Sequence, residues 1–195
     1  MEKTHTYNDY ESYVRYQLEK TSNKNKQKKW LGIEWQLKID IFTDLFKSNI
    51  DLIQYKKNAL CLGSRTGQEV VALQNLGVEK VIGIDLHEFK PYTLKGDIHD
   101  LNYDDETFDL EFTNIFDHSL YPEKFSSEIY RTLKKDGIFI LHIQTRVGDK
   151  YTEVIVKDIK TIEDLFKPLK LVKKADISNK TQLIAMDLEF IFIKE

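Results

Sequence analysis

The period of the hydrophobic positions changes along the chain. From Asn8 to about Asn49 they recur at helical spacing: Tyr10, Tyr13, Val14, Gln17 and Leu18 share one face, then Leu31, Trp35, Lys38, Phe42 and Leu45 another. The spacing predicts two helices with the basic run NKNKQKK, Asn23 to Lys29, as the hinge between them. Asn8 is placed to cap the first helix, with Glu11 completing a capping box. From Ala59 onward, short apolar runs alternate with helical ones. ALCLG reads as a buried strand, TGQEVVALQNLG as a helix stopped by Gly77, and VIGIDL as a second strand, which together make a βαβ unit. A short strand around Leu94 follows, and FDLEFTNIF is the fourth. Pro122 opens a helix carrying Phe125, Ile129 and Leu133, Gly137 ends it, and GIFILHI returns as a strand. The tail reads as a helix around TIEDLFKPL, an extended KLVKKADIS, and LIAMDLEFIFIKE, the last two forming a hairpin at the sheet edge. Such alternation implies an α/β fold, its mostly parallel sheet covered by helices on both faces.

Composition narrows this picture. With 195 residues, 41% hydrophobic and 31% charged, the chain suits one α/β domain with some decoration. Its single cysteine, Cys61, lies within an apolar run, which excludes a disulfide framework and favours a reducing compartment. The opening MEKTHTYNDY has neither an apolar signal core nor an Arg-rich transit pattern, and no apolar run reaches membrane-spanning length, so the expected location is cytoplasmic and no membrane partner is expected. A net charge of −3 gives no global attraction to nucleic acid, and NKNKQKK reads first as a solvated linker. The histidines are scattered without metal-ligand spacing, so no metal is implied.

Candidate chemistry gathers at the first βα turn. In a sheet of this kind ligands sit beyond the C-terminal strand ends, where the strand order reverses. Gly63 follows the first strand directly and Gly67 turns the chain into the helix. Asp85 ends the second strand roughly 20 residues further on, placed to accept hydrogen bonds from both hydroxyls of a ribose. A dinucleotide site needs GxGxxG to seat pyrophosphate on the helix N-terminus, and GSRTGQE does not supply it. Asp97 follows the Leu94 strand, whereas YDDETF is a polar turn without the further oxygens of a calcium loop.

The run from Ala59 to Ile143 resembles the class I S-adenosylmethionine (SAM)-dependent methyltransferases of the small methyltransferase-domain type. Their sequences read LxLGxGTG, GxD, GDxxxLPFxDxxFDxVxxxxxxHHL and RxLKPGGxxxL. The matching text here is CLGSRTG, GID, GDIHDLNYDDETFDLEFTNIFDHSL and RTLKKDGIFIL. The resemblance implies a Rossmann-like, doubly wound, mostly parallel seven-stranded sheet, with residues 1–50 as an N-terminal helical lid and 51–195 as the SAM-binding domain. It further implies that Gly63 and Gly67 border the methionine part of SAM, that Asp85 holds the ribose, and that Asp97 with the backbone of Ile98 recognises the adenine edge. Asn114 and Ile115 would line the floor. The chain departs from the pattern at two positions: many relatives carry an acid where Cys61 stands, to bind the SAM amine, and a glycine where Arg65 stands. Arg65 is either a charge-assisted donor to the methionine carboxylate or a solvent-facing side chain on an altered turn.

Methyl transfer is an in-line displacement from a sulfonium, carried mainly by alignment in a dry site, with a base needed only for some acceptors. The candidates follow the fourth strand. His118 is the expected base, because an imidazole exchanges protons near neutrality, and Asp117 beside it would orient the ring. The competing reading has His118 packing the Pro122 helix. Tyr7, Tyr10, Tyr13, Tyr16, Trp30 and Trp35 either close an acceptor pocket or simply pack. The expected function is a SAM-dependent methyltransferase acting on a small molecule such as a sugar or other metabolite. Two alternatives stand beside it: a nucleic-acid or protein methyltransferase gripping its substrate through NKNKQKK, and a non-catalytic binding module that keeps the fold.

Overall fold

A computed structural model describes residues 1–146, 148–181 and 184–195. Seven strands make the central sheet: β1 (Asn58–Leu62), β2 (Lys80–Asp85), β3 (Thr93–Lys95), β4 (Phe108–Thr113), β5 (Leu133–Ile143), β6 (Lys170–Asp176) and β7 (Leu188–Ile193). They are ordered β3-β2-β1-β4-β5-β7-β6, the first five parallel and β7 antiparallel to both of its neighbours. This is the Rossmann-like, doubly wound arrangement. The chain begins mid-sheet at β1, runs outward to β3, and crosses back to β4, so the strand order reverses between β1 and β4. That places Gly63 at one lip of the crevice and Asn114 at the other.

The continuous apolar run of β1 follows from burial on both faces. Leu60 and Leu62 point into a core shared with Phe125 and Ile129 of α6 (Pro122–Thr132) and Ile162 of α7 (Lys160–Leu165). Ala59 and Cys61 point the other way, onto Phe42, Leu45 and Phe46 of α3 (Trp35–Lys47) and Val70 and Leu73 of α5 (Gln68–Asn75). A short α4 (Ile50–Ile53) leads from α3 towards β1. Since α3 belongs to this core, the front segment has two parts: α3 is a layer of the domain, whereas α1 (Tyr10–Thr21) lines the cleft at the strand ends and α2 (Lys24–Leu31) meets Arg65 through Trp30.

Three local expectations are corrected. Asp9 rather than Asn8 caps α1, its carboxylate accepting the Ser12 amide at 2.7 Å. The basic run is a helix and not a hinge: Asn23 caps α2 by accepting the Lys26 amide at 3.0 Å, and Gln27 and Trp30, one turn apart, are buried. The Pro122 helix stops at Thr132, because Leu133 opens β5 opposite Phe108, which leaves Gly137 inside the strand. Pro122 at the first helical turn, Gly77 after α5 at φ 91°, and the edge hairpin of β6 and β7 stand as expected. Among the described residues, no helix is long and apolar enough to cross a membrane.

Candidate active site

Two connected clefts open at the C-terminal ends of β1, β2 and β4. The outer one encloses about 570 Å³ counting its mouth, between Gly63, Asp85, Asp97, Ile98 and Ile115 below and Tyr13, Gln17, Lys20 and Thr21 of α1 above. The inner one, about 1100 Å³ with its open mouth included, runs from Ser64, Arg65, Gln68 and Glu69 to Asn114, Asp117, His118, Gln144 and Asp149, with Lys38 and Phe42 behind. Lys20, Gly63, Arg65, Ile115 and His118 line both.

The glycine loop is shaped by close approach. Gly63 has φ 72°, and a Cβ there would lie 2.1 Å from Ile115 Cγ1, so only glycine lets β1 and the β4 exit meet. Gly67, at φ 89°, makes room for Tyr92 and lines neither cleft; its part is the turn into α5. Arg65 also holds a positive φ, 48°. Its guanidinium lies 4.5 Å from the centre of the Trp30 ring of α2 and it lines both clefts, so it is directed neither into bulk solvent nor into the sheet. Its amide donates to Asp85 Oδ2 at 3.0 Å, and the His87 amide donates to Oδ1 at 3.2 Å, which fixes the Asp85 carboxylate at the strand end. Burial pushes the Asp85 carboxyl up, against the opposing effects of the His87 amide and the Arg65 charge.

Asp97 is held from two sides. The Tyr10 hydroxyl donates to Oδ2 at 2.6 Å and the His99 amide to Oδ1 at 2.8 Å. Burial pushes the carboxyl up, but the His99 ring, the Tyr10 hydroxyl and the His99 amide outweigh it and leave Asp97 below the usual carboxylate range. The His99 ring Nδ1 also lies 3.2 Å from Oδ1, so Oδ2, with the Tyr10 hydroxyl as its one partner among the described residues, keeps a lone pair for a ligand. Ile98 beside it and Leu86 supply apolar wall.

His118 sits in a single 3-10 turn, Phe116–His118, after β4. Its Nδ1 is 2.7 Å from the Tyr151 carbonyl, so Nδ1 carries the hydrogen and Nε2 keeps its lone pair. Lys20 Nζ approaches Nε2 at 3.2 Å while pairing with Asp149 at 2.7 Å. Asp117 does not orient this ring. Its Oδ2 accepts from Gln144 and, at 3.2 Å, from Thr152, and stands 3.7 Å from His118 Nε2; the Tyr151 carbonyl holds the imidazole instead.

Most of the front aromatics are packing and anchorage. Tyr7 donates to Glu153 at 2.6 Å, Tyr13 to the His118 carbonyl at 2.9 Å and Tyr16 to the Lys150 carbonyl at 2.6 Å, while Trp35 packs on Tyr92. Of that set, Tyr13 alone lines a cleft. Two contributors escape a reading of the sequence: Lys20, a charged residue outside the face that the hydrophobic spacing picks out, and Glu69, whose place in the first turn of a helix looks like a complement to the helix dipole.

These residues fit SAM. A fixed carboxylate ends β2 and suits a diol, an ionised Asp97 with apolar neighbours suits an amino-bearing purine, and Arg65 is a cation that suits a carboxylate. Residues 60–141 match the family model described as the methyltransferase domain. No curated protein matches the chain by sequence. Among solved structures, a Burkholderia thailandensis 1,6-didemethyltoxoflavin-N1-methyltransferase with bound 1,6-didemethyltoxoflavin and S-adenosylhomocysteine aligns over 100% of this chain and 93% of its own, with TM-score 0.70 and 11% identity. A SAM-dependent methyltransferase from Clostridium acetobutylicum aligns over 87% and 97%, with TM-score 0.63 and 16% identity. Another from Aquifex aeolicus aligns over 76% and 89%, with TM-score 0.57 and 15% identity. At such identities these neighbours show the fold alone, and the sequence match is confined to residues 60–141. Residues 60–141 thus match a methyltransferase domain, set in a Rossmann-like fold that solved SAM-dependent methyltransferases share.

Proposed function

We propose that the protein transfers the methyl group of SAM to a small polar metabolite bound in the inner cleft. The observation that carries this reading is the shared wall of the two clefts, Lys20, Gly63, Arg65, Ile115 and His118, under a closed α1. SAM, when bound, supplies a methyl carbon on a positively charged sulfur. The chain's own residues do the rest: Asp85 holds the ribose hydroxyls, Asp97 and Ile98 take the adenine edge, and Gly63 and Ile115 underlie the sulfonium end. Arg65 donates to the methionine carboxylate as a stacked, fixed cation. Asn114, on the far lip, and Gln144 face the acceptor.

Alignment and exclusion of water supply most of the acceleration. Where the acceptor must lose a proton, His118 Nε2 takes it, because the Tyr151 carbonyl fixes the tautomer that keeps the lone pair on Nε2. Lys20 leaves Nε2 for Asp149, its closer partner, as the acceptor enters. A macromolecular substrate is disfavoured by the position of α1, which roofs the outer cleft and is tied to the core by Tyr10, Tyr13, Gln17 and Lys20. The toxoflavin methyltransferase, with a small molecule bound, offers a parallel on the same fold. The test is methyl transfer from labelled SAM into a fractionated cell extract. Label is expected in the small-molecule fraction, and label confined to RNA, DNA or protein would overturn the acceptor assignment.

A further inference from the structure

Most charges around the inner cleft are matched. Lys20 pairs with Asp149 at 2.7 Å, Lys38 with Glu34 at 2.7 Å, and Asp117 accepts from Gln144 and Thr152. Two are not. Among the described residues, the Arg65 guanidinium has the Trp30 ring for company and no carboxylate, and the Glu69 carboxylate has only its own backbone amide. Glu69 is 4% exposed, yet it lines the cleft. Burying an ionisable group without a partner is costly, and a fold tolerates it where a ligand completes the site.

The two side chains flank Gly67, four positions apart on the loop and the first turn of α5, where they would be expected to pair. They do not close on each other because the positive φ of Arg65 and the stack on Trp30 direct the guanidinium towards α2. Between them the cleft presents one cation and one anion. That is the complement of a zwitterion, an α-amino-acid head with its carboxylate and ammonium. Glu69 also lies over Cys61: burial and then the nearby Glu69 charge push the thiol up. The helix thus brings a carboxylate to the place where β1 carries none.

We propose that Glu69 receives the α-ammonium of the methionine part of SAM, opposite Arg65. The proposal rests on the reading of these clefts as a SAM site. Burial pushes the Glu69 carboxyl up to about 7 in the empty protein, and an ammonium beside it favours the ionised form. The charged and titratable groups that face it are Arg65 of the loop, Lys38 of α3, Asp85 of β2 and Cys61 of β1. Lys20, Asp117, His118 and Asp149 line the same cleft.

The test compares wild type with Glu69→Gln by calorimetry, using S-adenosylhomocysteine and 5′-methylthioadenosine, which has the nucleoside but no amino-acid head. S-adenosylhomocysteine affinity should fall at least about tenfold in the variant, while methylthioadenosine affinity holds and shows the site folded. Wild-type affinity for S-adenosylhomocysteine should also rise as pH passes upward through about 7, with a flatter profile in the variant. The other titrating groups are common to both proteins, so the difference in slope belongs to Glu69. Unchanged S-adenosylhomocysteine affinity overturns the proposal and assigns the pair to another zwitterion, such as an amino-acid acceptor. Equal loss for both nucleosides overturns it too, as a general disturbance. A wild-type protein that binds neither nucleoside sinks the proposed function itself.

Discussion

Arg65 holds a backbone conformation, φ 48°, that glycine adopts freely and other residues adopt at a cost of about 1 kcal/mol or somewhat more. Its stack on Trp30 returns an amount of similar order, about 0.5–2 kcal/mol. The two nearly cancel, so stability does not explain the residue. Arg65→Gly should therefore change the melting temperature little while weakening S-adenosylhomocysteine binding by about tenfold, as expected for a lost charge-assisted bond. A variant that melts normally and binds normally would show the guanidinium to be idle. At His118 the informative split is kinetic. His118→Ala should lower kcat by roughly 100-fold or more, with S-adenosylhomocysteine affinity held, if the acceptor must lose a proton. A normal kcat would leave alignment alone to carry the reaction. The sequence placed Asp85 at the end of β2 and Asp97 and His118 in the segments after β3 and β4, since position in a βαβ pattern is legible. It did not show the partners of His118. Asp117 is its neighbour in the chain, but consecutive side chains diverge, and the carbonyl that fixes the ring belongs to Tyr151, far along the sequence.

At the scale of elements, the lid reading concerns α1 and its contacts. Tyr10 reaches Asp97, Gln17 reaches Glu153 at 2.7 Å, and Lys20 reaches Asp149, whereas α3 is fixed by Phe42, Leu45 and Phe46 in the core. Removing residues 1–22 should leave a cooperatively folding domain, because α2 keeps its Asn23 cap and α3 its packing, but should reduce methyl transfer by opening the site to water. Full turnover in the truncated chain would remove α1 from the mechanism. The strands were legible because ALCLG and GIFILHI are apolar throughout, as burial on both faces demands. Helix α2 was not, since it buries only Gln27 and Trp30 and its lysines carry no apolar stripe. The end of α6 was misread for the opposite reason: Leu133 keeps the helical spacing of Phe125 and Ile129 although it already pairs in the sheet.

At the scale of the molecule, burial raises two carboxyls of the domain well above the usual carboxylate range. Glu111 in β4 is fully buried; one oxygen accepts from Thr132 at 2.7 Å, and the other has no partner among the described residues. Burial pushes this carboxyl up to about 8, and that of Glu69 up to about 7. Their folded-state values exceed the unfolded one of about 4.3, so the stability they contribute is complete below that value and is lost as pH rises through about 7 and about 8. The melting temperature of the empty protein should therefore fall between about pH 5 and about pH 9. Glu111→Gln, which imitates the neutral acid, should flatten that fall; parallel curves for the two proteins would show that Glu111 is ionised throughout. The central claim remains that the clefts between β1, β2 and β4 hold SAM and use Asp85 to do so. Titrating the protein with S-adenosylhomocysteine and with NAD, in wild type and in Asp85→Ala, tests it most directly. The account predicts saturable S-adenosylhomocysteine binding, no NAD binding, and a loss of about 1.5–3 kcal/mol in the variant. Absent S-adenosylhomocysteine binding, or equal affinity with and without the Asp85 carboxylate, would contradict it.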